Sequence, residues 1–150
     1  MKQGHDVYFK YYLSDRTLIL AGYGDVEKEL LDYAKSLKLR WFVFLGQTNN
    51  PLHLYQNASL FMVTLRREGL GVTLTESLQD SVVPVAYNSF SDVQDILEEE
   101  VNGFLIKPFD EDAYAEKLLY LMTNKDCREK RAIVGVERAK KIRIENIGKE

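Results

Sequence analysis

Thr17-Leu-Ile-Leu-Ala21 is an unbroken apolar run that ends in Gly22-Tyr23-Gly24, and Trp41-Phe-Val-Phe-Leu45 is a second one, stopped by Gly46. Between them Val26, Leu30, Ala34 and Leu37 recur at the spacing of a helix with one buried stripe. A strand that is apolar at every residue is buried on both faces, which requires helices on both sides of a parallel sheet.

The alternation continues outward from this unit. Asp25 has the side chain of an N-cap for a helix over residues 25–38. Pro51, after a polar turn over 47–50, suits the first turn of a short helix to residue 57. Further strands are predicted over 59–64, 82–87 and 104–106. Further helices are predicted from the glycine pair of Glu68-Gly-Leu-Gly71 to residue 79, over 92–98, over 110–122 behind Asp110, and over 126–141. Ala113, Leu118, Leu119 and Met122 are the core candidates of the helix behind Asp110. The expected fold class is α/β: a Rossmann-like three-layer domain with a mostly parallel sheet, one domain over 1–150. Residues 1–16 fit this pattern poorly. Val7-Tyr-Phe-Lys-Tyr-Tyr-Leu13 reads as a further strand, and its aromatic run Tyr8-Phe-Lys-Tyr-Tyr12 reads equally as a surface for a partner.

Composition narrows the class. With 150 residues, 45% of them apolar and 29% charged, the chain has the profile of a globular domain able to bury a core. A net charge of −3 gives no ground for a nucleic-acid partner. Arg138-Ala-Lys-Lys141, the one cationic run, is expected to be a solvated helix face. A single cysteine, Cys127, excludes an internal disulfide and offers no metal cluster. It reads as a surface or helix-start residue. Apolar runs of about five residues are too short to span a bilayer, and residues 1–6 contain no signal-peptide core. A cytoplasmic location is therefore expected. His53, in the short helix after Pro51, reads as structural or solvent-facing, and His5 receives no role.

In an open parallel sheet, ligands bind beyond the carboxyl ends of the strands. Residues 22–24, 46–48, 66–71 and 88–91 converge there. The most informative stretch is Arg67-Glu-Gly-Leu-Gly-Val-Thr-Leu-Thr-Glu76. Its two glycines precede a helix start, where free N–H groups and the helix dipole favour an anion such as a diphosphate. Glu68 lies in the loop and Glu76 about one and a half turns into the helix. Carboxylates suit vicinal hydroxyls because each oxygen accepts more than one hydrogen bond. From spacing alone, a loop glutamate and a solvent-facing helix glutamate remain the more ordinary reading.

The same stretch is similar to the signature of the retaining glycosyltransferases with two Rossmann-like domains, the large group-one (family four) class. That signature is Glu, seven residues, Glu, with Gly-x-Gly after the first. Other segments resemble the family in order: Leu20-Ala-Gly-Tyr-Gly24, Phe44-Leu-Gly46, Leu54-Tyr-Gln-Asn-Ala-Ser-Leu-Phe61, Pro84-Val-Ala-Tyr87 and Asn102-Gly-Phe-Leu-Ile106. The likeness covers residues 17–141. It implies the C-terminal, donor-binding half of a GT-B enzyme that moves a sugar from a nucleotide-diphosphate sugar to an acceptor with retention. Glu68 would lie near the donor sugar as the catalytic residue. Gly69, Leu70 and Gly71 would face sugar and phosphate, and Val72 to Thr75 would supply helix-start amides. Glu76 would hold the ribose, Gly46 and Gln47 would pack the base, and Gly22 would belong to the donor loop. The family needs no bound metal and no cofactor beyond the nucleotide sugar, because amide dipoles and basic side chains offset the leaving group's charge.

Two features depart from the family. Its domain begins with a strand ending in Gly-Arg, followed by Lys, and this chain has no such segment, so an N-terminally truncated domain is expected. Lys2-Gln-Gly-His-Asp-Val7 resembles the tail of the helix that follows that strand, and residues 10–16 resemble an insertion. Arg66 and Arg67 read more simply as solvent-facing arginines than as phosphate ligands. Where the family has paired glycines after its fourth strand, this chain has Asn88-Ser-Phe-Ser91, a weak likeness to enzymes of bacterial surface-polysaccharide assembly. The acceptor-binding half is expected as an N-terminal domain or a separate chain, and any peripheral membrane association would come through it. The alternative is a catalytically inactive fragment or partner module that binds a nucleotide or another chain. A receiver domain is disfavoured because Thr64-Leu65 stands where its lone Asp belongs. A dinucleotide-binding domain is disfavoured because Glu27 replaces the third glycine of Gly-x-Gly-x-x-Gly.

Overall fold

Val83-Pro-Val-Ala-Tyr87 is buried at every residue and forms the centre of the molecule. The structure, a computed structural model, describes residues 16–22, 24–64, 70–89 and 91–147. Strands and helices alternate as β1 (Leu18–Ala21), α1 (Glu27–Ser36), β2 (Phe42–Gly46), α2 (Pro51–Gln56), β3 (Leu60–Val63), α3 (Leu70–Gln79), β4 (Val83–Tyr87), α4 (Ser91–Ile96), β5 (Phe104–Ile106), α5 (Glu111–Thr123) and α6 (Lys125–Ile147). Every strand pair is parallel, as continuous apolar strands require.

Side chains of β4 alternate between two cores, because successive Cβ atoms point to opposite faces. Val83, Val85 and Tyr87 face one cluster with Phe104, Ile106, Tyr114, Leu118 and Leu121. Ala86 faces the other, with Val63, Leu74, Leu78, Val93, Ile96, Leu97 and Ala139. Helix α5 therefore covers one face of the sheet, and α3, α4 and α6 cover the other, which gives three layers. Gly103 allows β5 to start close to β4: a Cβ there would stand 2.6 Å from the Pro84 carbonyl oxygen.

The strands form two sheets, β1-β2 and β3-β4-β5, where the sequence reading expects one. Among the described residues β1 and β3 each pair on one side only. An apolar run announces a buried strand but does not name its neighbour, since pairing is a long-range property. The β1-β2 sheet is the more open: Ile19, Val43 and Leu45 are exposed, and Ala34 is the one buried residue of α1.

Several local expectations need correction. Val26, not Asp25, occupies the N-cap of α1, and no side chain caps it. Val26 is exposed rather than buried, since it precedes the first helical turn, while Leu30 and Leu37 are half-buried. In α5 the buried residues are Tyr114, Ala115, Leu118 and Leu121, whereas Ala113, Leu119 and Met122 are half-buried. The aliphatic residues of this helix fill more than one face, so spacing alone misplaced its stripe. Asp110 does cap it, accepting from the Ala113 amide at 3.0 Å. Helix α6 runs on to Ile147; Lys140 and Lys141 of its cationic run are exposed, and the half-buried Arg138 donates from its guanidinium to the Asp95 carbonyl in α4. Cys127 is half-buried in the first turn of α6, where its sulfur accepts from the Tyr120 hydroxyl at 3.2 Å. Residues 1–15, including the aromatic run over 7–13 and His5, lie outside the described residues.

Candidate functional site

Within each sheet the parallel strands present their carboxyl ends to one edge, and the segments singled out by sequence follow those ends along the chain. Gly22 follows β1 and Gly46 ends β2. They are joined directly, the Gly22 amide donating to the Gly46 carbonyl at 2.9 Å. A register shift after Leu20 pairs Ala21 with Gly46 and brings the two loops level. Gly46 has φ +69°, the left-handed region that a Cβ disfavours, and the space beside it is open. Gln47 is exposed, and the Thr48 hydroxyl accepts from the Asn50 amide at 3.2 Å.

This loop sets the next helix. The Asn50 side chain accepts from the His53 amide at 3.3 Å, and Pro51 fills the first helical position, so α2 starts at a fixed point. His53 is exposed, its ring nitrogen 3.3 Å from the Asn57 amide nitrogen, which fits a local structural role. One turn on, Tyr55 is 8% exposed, with its ring edge against Phe61 of β3 at 5.6 Å.

Helix α3 begins at Leu70. Glu68 and Gly69, together with Arg66 and Arg67, lie outside the described residues, so the first glutamate of the pair has no described position. Gly71 is half-buried and Val72 is 67% exposed at the helix start. The Thr75 hydroxyl donates to the Gly71 carbonyl at 2.7 Å, one turn back along the helix, so it is engaged by its own backbone. Glu76 is half-buried, about 9 Å along the axis from Leu70 at 1.5 Å per residue. Burial, then the charge of Glu76 and, less, that of Asp80, push the Tyr55 phenol of α2 up to about 12. The structure thus brings Gly22, Gly46 and Gln47 to one pair of loops and Gly71, Val72, Thr75 and Glu76 to one helix, with α2 bridging the two groups.

Residues 9–141 match the family model described as glycosyl transferases group 1. The chain belongs to that family. An α-1,4-N-acetyl-D-galactosaminyltransferase of Campylobacter jejuni is 29% identical over 132 residues, 88% of this chain and 36% of that protein. The chain thus spans about a third of the length of that curated relative. Among solved structures, the C-terminal domain of a group 1 glycosyl transferase from Francisella tularensis superposes with a TM-score of 0.78 at 22% identity, over 94% of this chain and 80% of that one. The Anabaena protein HepE, solved in complex with UDP, gives 0.81 at 21% identity, over 93% of this chain and 41% of that one. The fold is that of a GT-B C-terminal domain, as the sequence resemblance implies.

One contribution escapes sequence reasoning: Tyr55 sits within a stretch quoted for its resemblance, yet only folding brings α2 beside α3. Asn88, in the 88–91 segment expected here, donates its amide to the Ile106 carbonyl at 2.7 Å, and its side-chain oxygen accepts from Gln94 at 2.9 Å, tying the loop after β4 to β5 and α4. Among the described residues no three His, Cys, Asp or Glu side chains converge as a metal-binding group. No helix among them is long and apolar enough to cross a membrane.

Proposed function

We propose that this chain is the donor-binding half of a retaining glycosyltransferase, taking a sugar from a nucleotide-diphosphate sugar and delivering it to an acceptor held by an N-terminal domain or a separate chain. The observation that carries the reading is the placement of Glu76 on α3, beyond the carboxyl ends of parallel strands and one and a half turns above the Leu70-Gly71 helix start. A diphosphate meets the amides of Gly69, Leu70, Gly71 and Val72 at the positive end of the helix, while Glu76 accepts from the ribose hydroxyls. Gly22, Gly46 and Gln47 line the base side, and Glu68 serves the donor sugar as the catalytic carboxylate. Amide dipoles offset charge on the departing diphosphate, so the reaction needs no bound metal or further cofactor. UDP in the related HepE structure supports a uridine nucleotide. A surface polysaccharide or polyprenol-linked glycan as acceptor is supported by the Campylobacter relative, whose name specifies an undecaprenol-linked acceptor. Our reading has the work done in the cytoplasm, with membrane association only through the acceptor-binding half.

Calorimetric titration of the chain with UDP, GDP and their sugar conjugates tests this reading. One nucleotide should bind, and Glu76→Ala should weaken it about tenfold, a loss of roughly 1.4 kcal/mol. Equal binding by the variant would remove Glu76 from the donor site. No binding at millimolar ligand would favour the inactive-module alternative.

A further inference from the structure

We infer that Asn88 contacts the transferred sugar: at the carboxyl end of β4 its carboxamide, held by that of Gln94, hydrogen-bonds a hydroxyl of the donor sugar. This rests on the donor-binding reading above and extends it from the nucleotide to the sugar.

Both members of the pair are held from behind. Asn88 directly follows β4, the strand buried at every residue, and its amide donates to the Ile106 carbonyl at 2.7 Å. Its exposed side chain stands at the edge where parallel sheets bind ligands, and there Oδ1 accepts from Gln94 Nε2 at 2.9 Å. Gln94 is exposed too, on a six-residue helix that would be marginal by itself. Helix α4 is nevertheless pinned. Val93 and Ile96 are buried. The buried Asn102 donates from Nδ2 to the Ile96 carbonyl at 3.0 Å and accepts from the Glu98 amide at 2.9 Å. Arg138 of α6 donates to the Asp95 carbonyl.

The pair also adjoins the helix start assigned to the diphosphate. A Cβ on Gly71 would stand 3.5 Å from Ile96 Cδ1, so α4 abuts the first turn of α3. Strands β3 and β4 are paired neighbours, about 4.8 Å apart. The loop assigned to the base leads into α2, and α3 packs against both α2 and α4. Base, diphosphate and sugar follow one another in the ligand. With the base toward α2 and the diphosphate at the α3 start, the sugar falls to the α4 side.

The chemistry of the pair suits a sugar. The Gln94 bond uses one acceptor site of Asn88 and none of its Nδ2 hydrogens. The two carboxamides therefore present donors and acceptors side by side without charge. A hydroxyl is itself donor and acceptor, whereas a phosphate calls for charged partners. A carboxamide already held by a neighbour has lost rotamer freedom beforehand, so more of its contact appears as affinity. Gln94 is thus a positioning residue, acting through Asn88.

The experiment titrates wild type, Asn88→Ala, Gln94→Ala and the double variant with UDP, GDP and the glucose, galactose, N-acetylglucosamine and N-acetylgalactosamine conjugates of UDP. Far-ultraviolet circular dichroism verifies each fold. Asn88→Ala should weaken the best-bound conjugate about fivefold, the usual net contribution of one hydrogen bond, and leave UDP within about twofold. Gln94→Ala should weaken the same conjugate less. The double variant should bind it no more weakly than Asn88→Ala alone. Equal losses for UDP and its conjugate would make the pair a support of the loop and overturn the inference. If Asn88→Ala does not fold, Gln94→Ala is judged by the same comparison. Conjugate binding unchanged in every variant, with UDP still bound, would overturn the inference and leave the donor-site reading intact. No nucleotide binding by wild type would overturn both.

Discussion

The Tyr114 hydroxyl accepts from the Val63 amide at 2.9 Å and donates to the Val85 carbonyl, so one phenol of α5 bridges β3 and β4 from within the core. Val63 is paired in register with Ala86, the residue after Val85. The bridge therefore lies at the carboxyl end of β3. A buried backbone N–H and C=O are satisfied here by a side chain, and the site edge is fixed from beneath.

Tyr114→Phe keeps the ring and its packing on Tyr87 at 4.9 Å but removes both bonds. Leaving two buried polar groups without this partner costs about 1–3 kcal/mol. Urea unfolding should show a lower midpoint with an unchanged slope. An unchanged midpoint would mean that the strands close the gap by bonding directly.

Gly103→Ala should be among the most damaging single-methyl changes. The new Cβ would stand 2.6 Å from the Pro84 carbonyl oxygen and 3.2 Å from the Pro84 ring, and backbone cannot give way as a side-chain end can. Overpacking of this kind costs about 1–3 kcal/mol. Gly135→Ala meets the tip of the Leu78 side chain at 2.7 Å instead, so thermal melts of the two variants should rank Gly103→Ala as the less stable.

Gly46→Ala tests the loop at the end of β2. Its φ of +69° costs an L-residue roughly 1–2 kcal/mol, with no clash to add to the strain. Gly24→Ala, which also opens into free space and lacks a positive φ, is the control. Calorimetry should show Gly46→Ala losing nucleotide affinity as its loop relaxes, and Gly24→Ala retaining it.

Alkaline pH should unfold the chain in a defined window. The Tyr55 phenol is raised by burial and by Glu76 to about 12, from the usual value near 10. Burial also raises Tyr114 and Tyr87. A raised folded value means that the folded state holds the proton more tightly than the unfolded chain. The associated stability is complete below pH ~10 and is lost as pH rises through ~12. Tyrosinate absorbance should therefore rise in two stages, exposed phenols first and these three with unfolding. A single stage centred near pH 10 would contradict it.

Much of this architecture was readable beforehand because its signals are local. Apolar runs marked five strands, three of them beside a glycine, Asp110 and Pro51 marked helix starts, and Gly71 lay at the beginning of α3 as its neighbours implied. What escaped depends on contacts between distant residues. The aliphatic positions of α5 suit two rotations, and the choice falls to Tyr114, whose hydroxyl needs the strand groups it bridges. The carbonyl that α4 offers to Arg138 is likewise invisible in the sequence. Glu76 was singled out through the resemblance, whereas Tyr55, whose phenol feels its charge, comes from another helix and was not. The counterpart Glu68 falls outside the described residues, and so do Arg66, Arg67 and Gly69.

The uneven burial has a consequence for how the molecule opens. Among the described residues, nearly every fully buried side chain belongs to β3, β4, β5 and the helices around them, while the β1-α1-β2 unit contributes Ala34. That unit is a cooperative block of low local stability, able to unfold and re-form while the remainder stays intact. A nucleotide spanning the Gly46 loop and α3 would act as a strut between the blocks. Amide exchange in β1 and β2 would then slow with ligand concentration far more than exchange in β4, so that the substrate serves as a late-arriving piece of the domain's own scaffold.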